Sequence, residues 1–146
     1  MKALFMTTAI IEVTTGVALL AVPGGVASIL LGAALDTPAG LVLARVAGAS
    51  LVALGTACWL ARQDASSRAG RGVLAAVLLY NVGAAAVLAY GGMGLGFSGI
   101  GLWPVVLLHA ALTAWCVACL RVRRVNNASV RMSRVLTDPD TGKRIQ

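Results

Sequence analysis

The chain has 146 residues, 59% of them apolar and only 12% charged, with a formal net charge of +7 and a mean hydropathy of +0.89. Soluble domains carry about 25% charged residues, so this composition excludes a water-soluble globule and points to an all-α integral membrane protein. The basic excess follows membrane topology, described below for each connection, and calls for no nucleic-acid partner.

Apolar runs at about 3–22, 39–61, 73–91 and 102–120 each approach the ~20 residues that cross ~30 Å of hydrocarbon at 1.5 Å per residue. They predict a four-transmembrane-helix bundle forming one domain, 1–120, followed by a basic cytoplasmic tail, 121–146. The first run is longer than the apolar core of an export signal, has only Lys2 before it, and meets Pro23 where cleavage would fall, so it is read as a span. Its polar stripe holds Thr8, Glu12, Thr15 and Gly16.

After Pro23-Gly24-Gly25, the ten apolar residues Val26–Leu35 are too few to cross, which predicts a short interfacial or re-entrant helix on the outer face. Thr37 before Pro38 fits an N-cap followed by the proline favoured in a first helical turn. The second span carries Arg45. It also carries Ala44 and Gly48 at a four-residue spacing, with Gly55 one heptad beyond Gly48, a pattern that lets helix backbones approach closely in lipid. Gly83 extends that expectation to the third span, which also bears Tyr80 and Asn81.

The next connection, Gly91–Gly101, holds six glycines, Gly91, Gly92, Gly94, Gly96, Gly99 and Gly101. It is expected to be floppy unless packed, or else to let backbone approach a lipid, pigment or partner closely. Trp103-Pro104 marks the start of the fourth span, whose stripe holds His109, Thr113 and Cys116. Cys116 and Cys119 have a redox or zinc spacing, but His109 lies ~10.5 Å from Cys116 along the axis, too far for a shared metal, so the cysteines read as small apolar filler and no metal is expected. In the tail, Arg121–Val125 prolongs the fourth helix. Val135–Thr137 and Lys143–Ile145 flank the turn signal Asp138–Gly142, which suggests a small hairpin, too short to be stable alone, so that the segment is either disordered or docked on another protein. The Asn127-Ala128-Ser129 sequon has no meaning in a cytoplasmic tail.

Of the 12 Lys and Arg residues, Lys2 precedes the first span, Arg62, Arg68 and Arg71 lie between the second and third, and seven follow the fourth. Segments 23–38 and 92–101 have none. The positive-inside rule therefore predicts both termini in the cytoplasm, with membrane lipids as the partners of the basic residues. Trp59 and Trp115 on one side and Trp103 on the other fit interfacial belts. The segments Ala53–Arg62 and Ala111–Arg121 resemble one another, which leaves open a two-hairpin repeat or mere apolar likeness.

Each span thus carries one polar group that hydrocarbon cannot satisfy: Glu12, Arg45, Asn81 and His109. Counted from the cytoplasmic ends, Glu12 and Asn81 lie about 12 Å deep, His109 about 16 Å and Arg45 about 24 Å. A midplane cluster of Glu12, Asn81 and His109 follows, with Tyr80 beside it, while Arg45 either joins from above or snorkels to the outer interface. Three roles fit the cluster: hydrogen-bonded glue between helices, a proton- or ligand-handling site, or contact with another subunit. Haem or a pigment on His109 would need a second ligand from another copy or a partner, because the chain has one histidine, so no cofactor is expected.

Glu12 within Ile10-Ile11-Glu12-Val13 resembles the membrane-embedded glutamate of small multidrug transporters. The chain lacks their later-helix signatures and adds a long basic tail. Over about residues 5–120, the Glu12 helix, Ala44–Gly48, Leu79–Gly83 and the segment from Leu102-Trp103-Pro104 through His109 to Leu120 resemble a widespread type of small four-helix bacterial membrane protein. That resemblance implies a membrane bundle and supplies neither function nor site. With no Ser/His/Asp set or phosphate loop, an enzyme is not expected. The leading expectation is a non-catalytic accessory or assembly subunit of a larger bacterial inner-membrane complex, acting by helix packing and tail docking. The alternative is a small proton-coupled transporter or channel, oligomeric and centred on Glu12.

Overall fold

The computed structural model describes residues 1–137, and every regular element among them is helical: α1 (Lys2–Ala21), α2 (Pro23–Leu31), α3 (Pro38–Ala61), α4 (Arg68–Gly94) and α5 (Leu102–Thr137). Four helices, α1, α3, α4 and the Leu102–Val122 part of α5, are long and apolar enough to cross a membrane, which supports a multi-pass membrane protein. Met1–Cys116 form one compact unit, and a second begins at Val117. Within that second unit α5 continues to Thr137, so Val135–Thr137 are helical and do not form the expected strand. The turn at Asp138–Gly142 and the Lys143–Ile145 arm lie outside the described residues.

Each spanning helix hides one narrow stripe. On α1 it is Leu4, Phe5, Thr8, Ala9, Glu12 and Gly16; on α3, Gly48, Leu51, Gly55 and Cys58; on α4, Leu74, Val77 and Asn81 among others; and on α5, Leu102, His109, Leu112 and Cys116. The three- and four-residue steps are those of one helix face. The opposite faces expose Ile10, Leu43, Leu79 and Leu107, as a helix surrounded by lipid requires.

Helix ends follow local chemistry more than hydropathy. Pro23 lacks an amide hydrogen and cannot continue α1, so Val22 breaks the chain and Pro23 opens α2 at once. α2 closes on Gly32 in the left-handed conformation, φ 69°. The short helix is therefore Pro23–Leu31 rather than Val26–Leu35. Thr37 caps α3, its hydroxyl accepting from Gly40 N at 3.1 Å, as Thr37-Pro38 predicts. Ser67 does the same for α4 through Gly70 N at 2.9 Å. This cap starts α4 at Arg68, ahead of the apolar run at 73, because helix formation needs no hydrophobicity in the first turn.

α1 packs closely along α3 through glycines. A Cβ on Gly16 would stand 2.6 Å from the Gly48 carbonyl oxygen, and one on Gly55 would stand 3.0 Å from the Ala9 oxygen. Gly83 differs from its expected packing role: a Cβ there meets open space, so it makes no close approach within this chain.

The glycine connection is shorter and better packed than expected. Gly91, Gly92 and Gly94 belong to α4, and only 95–101 connect the helices. Phe97 N donates to Gly91 O at 3.1 Å, Ser98 N to Leu31 O at 3.2 Å and Gly101 N to Ile29 O at 2.9 Å. A side chain on Gly99 would collide with the Leu30 backbone. These glycines let the connection lie flat against the end of α2.

Candidate functional site

Asn81 sits one turn after Val77 on the buried face of α4. Its Nδ2 donates to the Val77 carbonyl at 2.8 Å, which fixes the amide orientation and turns Oδ1 towards α5. There Oδ1 meets His109 Nδ1 at 2.8 Å. An amide oxygen only accepts, so in the neutral imidazole Nδ1 carries the hydrogen and Nε2 is left as an acceptor. Tyr80 stands edge-on to the same ring, with centroids 5.6 Å apart and planes at 80°. Sequence adjacency to Asn81 placed Tyr80 beside the cluster, and the ring contact makes it a member.

Glu12 completes the group from α1. Its side chain is only 1% exposed, and the Tyr80 hydroxyl serves it as a hydrogen-bond donor. The other carboxyl oxygen, Oε1, has no partner. Among the described residues no lysine or arginine forms an ion pair with it. Arg45 is exposed on α3, whereas Glu12, Asn81 and His109 are buried.

Glu12, Tyr80 and His109 line a cavity of ≈ 280 Å³. Its remaining walls are mostly apolar, including Ile29 and Leu30 of α2 and Val105 and Leu108 of α5, with Thr14 and Thr15 of α1 adding two hydroxyl-bearing side chains. The end of α2 that carries them is held by the backbone bonds from Ser98 to Leu31 and from Gly101 to Ile29, so the glycine connection positions one wall of the site. Hydropathy could not reveal this, because it marks α2 only as a stretch too short to span.

Below the cavity, towards the start of α1, the buried hydroxyls of Thr8 and Thr113 also lack partners. Cys58 and Cys116 are fully buried in the same core. Among the described residues no group of three or more His, Cys, Asp or Glu side chains is placed to hold a metal ion. The threonines had a legible signal, since each shares a stripe with Glu12 or His109, but spacing alone did not say that they would be left unsatisfied.

The arrangement separates two roles that the sequence left merged. Asn81 and His109 satisfy each other and tie α4 to α5. Glu12 keeps a buried, unpartnered oxygen and belongs to the lining of a mostly apolar cavity. Compared with protein-family models, curated proteins and solved structures, the chain matches none of them.

Proposed function

We propose that this chain is a small proton-coupled membrane carrier in which Glu12 exchanges a proton for the cationic group of an otherwise apolar molecule. The observation that supports it is the unpartnered, buried Oε1 of Glu12, a residue that lines the ≈ 280 Å³ cavity. A carboxylate in hydrocarbon costs several kcal/mol unless a counter-charge lies beside it, whereas a protonated carboxyl does not. The site then has two favourable states, protonated and empty, or ionised with a cation bound. One proton leaves Glu12 for each positive charge that arrives. The Tyr80 and His109 rings offer polarisable faces to that charge, and the cavity has room for on the order of ten non-hydrogen atoms at ~30 Å³ per water-sized group.

The arrangement of Lys and Arg supports a bacterial inner-membrane location with both termini in the cytoplasm. The test is uptake of benzyltrimethylammonium into vesicles containing the purified chain and loaded with an acidic interior. Uptake that collapses with the pH gradient and is lost in Glu12→Gln is the expected result. A wild-type chain that neither binds nor accumulates this cation overturns the carrier.

A second reading, a non-catalytic accessory subunit of a larger membrane complex, draws on the continuation of α5 beyond Val122 to Thr137 with Arg121, Arg123, Arg124, Arg131 and Arg134 along it. Co-purification with larger subunits in fixed ratio after mild solubilisation would favour it. A homo-oligomer able to transport alone would remove it.

A further inference from the structure

Away from the Glu12 cavity, the outer side of the α1–α3 pair carries a groove of ≈ 410 Å³ lined by Ala9, Ile10, Val13, Thr14, Thr56 and Trp59. Ile10 is 61% exposed and Trp59 is 44% exposed, so the groove faces outward. At its end the Arg62 guanidinium stacks on the Trp59 ring at 3.6 Å and donates from Nη1 to the Trp59 carbonyl. Stacking and this one bond leave the remaining planar N–H edge of the fork free for a bidentate acceptor such as a phosphate.

The helix register brings a second cation to the same level. Gly16 lies against Gly48 and Val52, and Gly55 against Ala9 and Val13. The two helices therefore run antiparallel with nearly constant pairing. Arg62 is seven residues past Gly55, or ~10.5 Å along α3, and the same step along α1 runs from Ala9 to Lys2 and from Val13 to Met6. Lys2, Met6 and Ile10 fall at four-residue intervals on one exposed stripe of α1. An apolar groove thus leads to a mouth flanked by Lys2 and Arg62, with Asp64 the one acidic residue in the connection that follows.

We propose that this groove is a binding site for one anionic phospholipid, its acyl chain lying between α1 and α3 and its phosphate held by Arg62 and Lys2. Apolar walls accept any acyl chain, so the selectivity lies in the two cations. Each contributes roughly a fivefold preference for an anionic over a zwitterionic headgroup. The site is separate from Glu12 and does not depend on transport.

Trp59 is the reporter. In the full chain with Trp103→Phe and Trp115→Phe, both exposed positions, fluorescence is followed in phosphatidylcholine vesicles doped with brominated phosphatidylglycerol or, at equal mole fraction, brominated phosphatidylcholine. Trp59 should be quenched at least several-fold more strongly by the anionic lipid. The preference should weaken as salt is raised, fall in Lys2→Gln, and approach unity in Lys2→Gln/Arg62→Gln. Equal quenching by the two lipids, or a preference that survives in the double variant, overturns the proposal. So does the absence of quenching by either lipid, which would mean that a second copy of the chain covers the groove.

Discussion

Replacing Gly48 by alanine tests whether α1 and α3 are held by backbone contact. A Cβ at Gly48 would stand 2.7 Å from Gly16 O, 3.0 Å from Leu19 Cβ and 3.1 Å from Leu20 N, where ordinary contact begins at 3.4 Å. Two of these three neighbours are backbone atoms and cannot rotate away, so the helices must part by about 0.7 Å, the difference between 3.4 and 2.7 Å. A gap of that size forfeits a quarter to a half of each facing van der Waals contact. The expected loss is ~1–3 kcal/mol, the usual cost of overpacking. In water, alanine would recover about 1 kcal/mol through helix propensity. In a bilayer the separated helices remain helical, so that compensation is absent. Gly83→Ala is the matched control, because its Cβ meets nothing within 4 Å. Unfolding in mixed micelles of rising denaturing-detergent fraction reads both. Gly48→Ala as stable as the native chain, or Gly83→Ala equally damaging, would refute the close-contact account.

Asn81→Ala removes the acceptor at His109 Nδ1; a loss of ~1–2 kcal/mol is expected, with mixed imidazole tautomers in nitrogen NMR where the native chain shows one. Tyr80→Phe keeps the ring beside His109 and removes the hydroxyl donor to Glu12, so labelling of Glu12 by a hydrophobic carbodiimide should quicken by about fivefold, equivalent to a lost ~1 kcal/mol hydrogen bond; an unchanged rate would place the hydroxyl elsewhere. Thr37→Ala deletes the cap of α3 and should cost ~1 kcal/mol, read as faster hydrogen exchange at Gly40 N with little change at Gly70 N. Gly99→Ala drives a methyl into the Leu30 backbone, so α2 should shift and cation binding weaken while the α1–α3 contact survives; intact binding would separate the glycine connection from the site.

The residues of the cluster were legible because polar side chains stand out against apolar spans, and helical rise alone separated Arg45 from Glu12, Asn81 and His109. Thr37-Pro38 announced the start of α3 for an equally local reason. The limits of α4 were not legible from hydropathy: Ser67 begins it through a hydrogen bond, and glycines at 91, 92 and 94 remain helical where composition suggested a loop. Gly48, Gly55 and Gly83 looked alike in sequence. Which of them meets another backbone depends on the rotation of each helix about its axis, set by packing of the whole unit. The cavity was hidden for the same reason, since one of its walls comes from α2 and is fixed by two backbone bonds from a distant connection.

The helix pairings also explain why Glu12 is the group left open. The α1–α3 contact is built from Gly16, Gly48 and Gly55, the buried face of α3 otherwise carries only Leu51 and the thiol of Cys58, and the cation of that helix, Arg45, lies on its exposed side. The α4–α5 contact is satisfied within itself by Asn81 and His109. Glu12 therefore finds one hydroxyl, Tyr80, and faces a cavity. Were interhelical glue its whole purpose, a glutamine would serve as well, its carbonyl oxygen accepting from the Tyr80 hydroxyl without the cost of a charge. Because a carboxyl differs from that amide chiefly in releasing a proton and holding a positive charge, Glu12→Gln should preserve stability in detergent while abolishing cation binding, and that dissociation of the two readouts separates a working acid from a structural one.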